Sequence, residues 1–234
     1  MGKSASSLSN MVITLLVITA VAGGSLGFVY RLTKDPIAQA SMAKQQEAIK
    51  LVVPGFDNDP AAEMYEIESE EGFNLKVFPA KKGEELVGVA IETMSNKGFG
   101  GDIKIMVGLK PDGTVIDYQV LSHKETPGLG TKMVDWFKPH AAEGGERNAF
   151  FDWLYGIKSG GGNSDGNSVI GKNPKTTNFT VSKDGGDIDA ITAATISSRA
   201  YLDAVCIAYK TYTKHADGYS SATTQVSHEE GGEQ

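Results

Sequence analysis

Residues 102–121, DIKIMVGLKPDGTVIDYQVL, hold two strand-like runs on either side of a turn. Ile103, Ile105, Val107 and Leu109 alternate with other side chains, the period-2 pattern of a strand with one buried face. Pro111-Asp112-Gly113 then supplies a preset φ, a turn-forming carboxylate and a residue tolerant of positive φ, so the second run returns antiparallel to the first. Upstream, FNLKVFPA (73–80) and ELVGVAIETM (85–94) extend the strand pattern, which occupies Met64 to Val120. The glycine-rich Asn96–Gly101 between two of these runs reads as a flexible link.

Downstream the pattern changes. HKETPGLGTKM (123–133) has turn chemistry throughout. Residues 134–157 are aromatic-rich (Trp136, Phe137, Phe150, Phe151, Trp153, Tyr155) and read as surface helix or irregular packing. SGGGNSDGNS (159–168) reads as a mobile low-complexity loop whose lone Asp165 is too little for a calcium site. A strand is expected near 178–182, and a helix over Tyr201–Lys214, where Leu202, Val205, Tyr209 and Tyr212 recur at helical spacing. Hairpins followed by a terminal helix define an α+β domain, a mainly antiparallel sheet flanked by helices, and not a doubly wound parallel sheet.

The N-terminus carries a different signal. No charge occurs from Ser4 to Tyr30, and Met11–Tyr30 is apolar over the roughly 20 residues a spanning helix needs. Arg31 and Lys34 close the run, with Tyr30 at the place of an interfacial aromatic. A cleaved signal peptide is the competing reading, with Ala20-Val21-Ala22 as the site and a secreted protein as the product. The apolar run continues through Leu26 to Val29 beyond that site, which favours a retained anchor. Pro36 suits the first turn of a new helix over 36–53, ended by Pro54-Gly55. The expected division is an N-terminal segment (1–10), a transmembrane helix (11–30), a helical linker (31–63), one domain (64–214) and a disordered acidic tail (215–234).

Composition excludes several functions. The net charge of −7 and the lack of a basic block argue against nucleic acid. Cys206 is the only cysteine, which excludes internal disulfides and cysteine-based zinc or iron–sulfur sites. His123, His140, His215 and His228 lack metal-ligand spacing, and no metal site is expected. No catalytic triad or carboxylate pair can be assembled.

Two stretches remain. DAITAATISSRA (189–200) sets Thr192, Thr195, Ser197 and Ser198 among small residues at a helix start. Asp189 or Thr192 could simply cap the helix; alternatively, the free N–H groups form an anion site and one hydroxyl is esterified to a phosphate. ETPGLG (125–130) is either a tight turn or a turn whose glycines open backbone N–H groups to a ligand, with Glu125 as an acceptor.

Together with GFGGDI (98–103) and the apolar helix, these stretches resemble the FMN-binding domain family over Met11 to about Thr213. More narrowly they look like the G subunits of Rnf-type ion-translocating ferredoxin:NAD oxidoreductases; the C subunits of sodium-translocating NADH:quinone reductase are the related alternative. The resemblance implies a covalently bound FMN, its phosphate esterified to Thr195 within a D-x-x-[S/T]-G-A-T motif opened by Asp189 and continued by Thr192 and Ala194. Glu125, Thr126, Pro127, Gly128, Leu129 and Gly130 are expected to form the opposing wall, with Arg199 assisting the phosphate. The sequence departs from the motif at one place: Ala193 stands where the family has glycine, and its methyl group restricts positive φ.

The same resemblance implies an electron-carrying subunit with no acid–base catalytic site. The partners it implies are other subunits of a membrane redox complex, the lipid bilayer and a flavin transferase. It places the protein in the cytoplasmic membrane as a single-pass anchor, with the domain on the outer side. A rival reading is an anchored non-redox module of the same family, holding a ligand or an assembly partner through the same loops.

Overall fold

The computed structural model describes residues 8–139 and 166–226. Contacts divide it into two units at Gln45/Gln46. The first lies within helix α1 (Leu8–Val52), whose apolar part is long enough to cross a membrane and is exposed all round. A helix of 45 residues is roughly 68 Å long, while the hydrocarbon core of a bilayer takes about 30 Å. The separate helix expected to begin at Pro36 does not form: the chain stays helical through Pro36, at an exposed position.

The second unit is built on a five-stranded antiparallel meander in the order β1 (Tyr65–Glu68), β2 (Asn74–Lys82), β3 (Glu85–Ser95), β4 (Ile103–Leu109), β5 (Val115–Ser122). The hairpin at 111–113 forms as the sequence requires. Lys110 N–H donates to Thr114 O over 2.9 Å, Gly113 N–H to Lys110 O over 2.8 Å, and Gly113 has φ 84°. β4 pairs with β3 from Ile103↔Ser95 to Leu109↔Val89, and with β5 through two bulges.

Both faces of the sheet are covered. On one face Ile103, Ile105, Val107 and Leu109 meet the last helix, α3 (Thr195–Val226), through Ala200, Tyr201, Ala204, Val205 and Ala208. On the other face, Phe78, Ala80, Ala90 and Met106 pack under Ala48, Ile49, Val52 and Val53 at the end of α1. Gly108 permits that approach: a Cβ there would lie 2.1 Å from Val52 O. The buried Met106 between buried isoleucines and valines is therefore a consequence of a sheet enclosed on both sides, where strict alternation gives way.

A single helical turn, α2 (Met133–Trp136), wedges between β5 and α3. Tyr118 Oη donates to Met133 O over 2.8 Å, and Phe137 stacks on Tyr201 with ring centroids 4.3 Å apart. Phe150, Phe151, Trp153 and Tyr155 lie beyond Pro139, outside the described residues, as does most of the loop 159–168.

Three expectations need correction. The segment near 178–182 is not a strand of the sheet; Val181 makes one bridge to Ile188, and Gly185 (φ 84°) with Gly186 folds the segment back onto itself. Its backbone bonds go to that return, as in Ser182 N–H to Ile188 O and Ile188 N–H to Thr180 O. The link Asn96–Gly101 is pinned and not flexible, because Gly98 and Gly100 fit against Glu125 and Lys124. Finally, α3 continues to Val226, past His215 where a tail is expected, because extending a packed helix costs far less than nucleating one.

Candidate functional site

Three segments converge at the Ile103 end of β4: the β3–β4 loop (96–102), the segment after β5 (123–129) and the start of α3. Glu125 joins them. Its carboxylate is buried, with Oε1 accepting the Gly100 N–H over 3.0 Å and Oε2 accepting the Ser197 hydroxyl over 2.5 Å. The glycines exist for this approach. A Cβ at Gly98 would sit 2.6 Å from Glu125 Oε1, and one at Gly130 would sit 2.6 Å from Ser197 Oγ. A Cβ at Gly100 would strike Lys124 O at 1.9 Å, which is why the glycine-rich link is tight. His123 Nδ1 accepts the Glu125 N–H over 3.2 Å and fixes the backbone entering the turn.

The hydroxyls at the helix start separate into roles. Ile191 O accepts the Ala194 N–H over 3.0 Å, closing a turn that puts Ala193 at φ 62°, where a type II turn calls for glycine. Ser198, fully buried, accepts the Ile191 N–H over 2.9 Å and donates to Ala194 O over 3.0 Å, so it ties the turn to the helix. Ser197 is held by Glu125. Thr192 is exposed in the turn. Thr195, the first helical residue, is half-buried, and its Oγ1 lies 3.5 Å from Lys183 Nζ, at the outer limit of a hydrogen bond. Of the four hydroxyls, Thr195 is the one that lines the cleft beside this junction without being locked into it.

That cleft measures about 350 Å³ and is lined by Phe99, Glu125, Thr126, Leu129, Gly130 and residues 193–197. Phe99 is 70% exposed, Ile196 47% and Leu129 40%, large apolar side chains around an opening next to a polar floor. The volume lies within the range of small-molecule sites, which combine apolar walls with few polar groups. The N–H groups of the first turn of α3, which have no partner within the helix, add a preference for negative charge beside Thr195.

The residues singled out from the sequence are only partly assembled here. Glu125, Thr126, Leu129, Gly130, Ala194 and Thr195 line the cleft; Pro127 and Gly128 lie outward in the turn. Gly128 N–H donates to Thr131 Oγ1 over 2.9 Å and Leu129 N–H to Thr126 O over 3.2 Å, so these amides serve the turn itself. Neither expected cap faces α3: the Asp189 carboxylate accepts the Ser182 hydroxyl over 2.5 Å, and its carbonyl accepts Trp136 Nε1–H over 2.9 Å. Arg199 forms a two-pronged pair with Asp184, Nε to Oδ2 at 2.6 Å and Nη2 to Oδ1 at 2.8 Å. That hydrogen bonding holds Asp184 below the usual carboxylate range and raises the guanidinium. Phe99, Ile196 and Lys183 escaped the sequence reading, and Ser197 figured there only as one of four hydroxyls. An aromatic inside GFGG was the visible signal for Phe99; Lys183 has none, since folding alone brings it to Thr195.

An antiparallel sheet under its last helix, with an apolar cleft at that helix's first residue, is the frame in which the chain matches an FMN-binding domain. The family model of that description matches residues 98–210, which include most of the β3–β4 loop, Glu125 and Thr195. A second model, described as the RnfG N-terminal region, matches residues 1–52. The chain is 33% identical to a Yersinia pestis protein named as the G subunit of an ion-translocating oxidoreductase complex, over 82% of this chain and 84% of the relative. Proteins of the same name from Vibrio atlanticus (32%, covering 82% and 84%) and Haemophilus influenzae (32%, covering 80% and 80%) are also similar. This chain belongs to the family of G subunits of ion-translocating oxidoreductase complexes.

Proposed function

We propose that the protein is a covalently flavinylated electron carrier of a membrane-bound, ion-translocating oxidoreductase, with FMN joined through its phosphate to Thr195. Support comes from one observation above all: Thr195 lines the cleft at the start of α3, while Ser197 and Ser198 are occupied by Glu125 and by the Ile191 turn. The cleft residues fit the cofactor's two parts. Phe99, Leu129 and Ile196 offer apolar surface to a planar ring, and the helix start with Thr195 offers an anion position.

FMN, when bound, supplies the redox chemistry. The residues lining the cleft would hold it and fix its place. An ester bond keeps the carrier from dissociating, which suits a relay between ferredoxin- and NAD-linked centres in other subunits. No general base is required for electron transfer, and the cleft's one carboxylate, Glu125, is committed to two donors. The apolar part of α1 serves as the single-pass anchor in the cytoplasmic membrane. The domain lies on its outer side, where a flavin transferase loads it.

Intact-mass analysis of protein from its native host tests this directly, with Thr195→Ala in parallel. The expected result is a wild-type mass raised by one FMN ester and flavin fluorescence that survives denaturing electrophoresis, both lost in Thr195→Ala. Wild-type protein of unmodified mass overturns the attachment and favours the non-redox reading of the same cleft.

A further inference from the structure

We propose that Lys183 is the positioning cation for the phosphate at Thr195, an inference that rests on the attachment proposed above and assigns its electrostatic partner. The sequence suggests Arg199, one turn into the helix, but that guanidinium is turned away and neutralised by Asp184. Lys183 is different. Its Nζ is 3.5 Å from Thr195 Oγ1, and it forms no ion pair among the described residues.

The turn that carries Lys183 is held in place from both sides. Ser182 Oγ donates to Asp189 Oδ1 at the front of the attachment stretch, and Asp184 grips Arg199 inside α3. Gly186 closes the turn where any Cβ would lie 1.9 Å from Thr180 O. The backbone at Lys183 is thereby fixed against the helix start, so a flexible four-carbon side chain needs only to reach a short way. An ester at Oγ1 puts phosphorus one bond out and two non-bridging oxygens one bond beyond that, within reach of an ammonium already beside the bridging atom. A phosphodiester keeps one negative charge, and a lysine with no ion pair among the described residues, together with the first N–H groups of α3, matches it. The bidentate Asp184–Arg199 pair then acts as a brace, and its role in the site runs through Lys183.

The test is lysine footprinting of the full-length protein with an amine-reactive reagent, read by peptide mass spectrometry, comparing flavin-loaded wild type with Thr195→Ala. Lys110, at the opposite end of β4, is the internal reference. Labelling of Lys183 is expected to fall about three- to tenfold in loaded protein relative to Thr195→Ala, with Lys110 unchanged. In a second arm, limiting flavin transferase is supplied to Lys183→Gln, Lys183→Arg and Lys110→Gln. The loaded fraction is expected to drop several-fold in Lys183→Gln, recover in Lys183→Arg and stay at wild type in Lys110→Gln. Loaded protein with unprotected Lys183, or Lys183→Gln loading like wild type, overturns the assignment while leaving the attachment intact. An unmodified wild-type mass overturns both.

Discussion

Ala193 is the one non-glycine among the described residues with a positive φ, at 62°, and replacing it by glycine isolates the strain of that position. An L-residue in the left-handed region pays roughly 1–2 kcal/mol through its Cβ. Glycine removes that term but gives the unfolded chain more freedom, which costs about 0.4–1 kcal/mol. Ala193 is exposed, so its methyl contributes little burial, and the Ala194 N–H to Ile191 O bond involves only backbone. The balance favours Ala193→Gly by about 0.5–1 kcal/mol. For a domain of this size, that corresponds to a rise of about 1–4 °C in Tm. Ala193→Val is the opposing control, because a β-branched residue is a worse tenant of positive φ, and its Tm should fall. The assay is thermal unfolding of the full-length chain in detergent, followed by near-ultraviolet circular dichroism across the three proteins. A fall in Tm for Ala193→Gly, or an Ala193→Val that melts with wild type, refutes the claim that the turn is strained.

Three further outcomes are expected. Glu125→Ala strands the Gly100 N–H and the Ser197 hydroxyl without their acceptor, so urea unfolding should shift down by about 2–4 kcal/mol; Glu125→Gln, which keeps one acceptor, should lose less. Gly108→Ala drives a methyl to within 2.1 Å of Val52 O, and overpacking against backbone should cost about 1–3 kcal/mol, read as a lower urea midpoint at constant slope. On the alkaline side, burial raises the pKa of Tyr118 and Tyr201 above the ordinary value of 10.0 and pushes Cys206 up to about 11. Groups with raised native pKa stabilise fully below their unfolded value and lose that contribution as pH rises. Stability should therefore hold near neutrality, begin to fall above about pH 9 through Cys206, and fall further above about pH 10 by roughly 1.4 kcal/mol per pH unit for each buried ring; denaturant titrations between about pH 8 and 11 check the slope.

The sheet was legible because its pattern is local. Ile103 to Leu109 alternate, and Pro111-Asp112-Gly113 can do little but turn, so β4 and β5 follow from a dozen residues. The same local reading misjudged Phe179 and Val181. Their apolar side chains are buried, as a strand's are, but the backbone around them bonds to its own return through Gly185 and Gly186. It also misjudged Gly98 and Gly100, which look like flexible linker in sequence yet are clearances around Glu125 and Lys124. A glycine's meaning depends on what stands opposite, and that neighbour is more than twenty residues away.

The sequence by itself determined an apolar helix of spanning length, an antiparallel α+β domain and, through ETPGLG and DAITAATISSRA, the two segments that flank the cleft. Periodicity, turn chemistry and residue size act between near neighbours, and that is enough for those statements. Only the tertiary structure decided which hydroxyls are occupied, that Arg199 belongs to Asp184, and that Lys183 stands beside Thr195. The contests that bring in distant partners span 12 to 72 positions, from Lys183–Thr195 to Glu125–Ser197. Such contests are settled by packing once the chain has closed, and no local pattern records the winner.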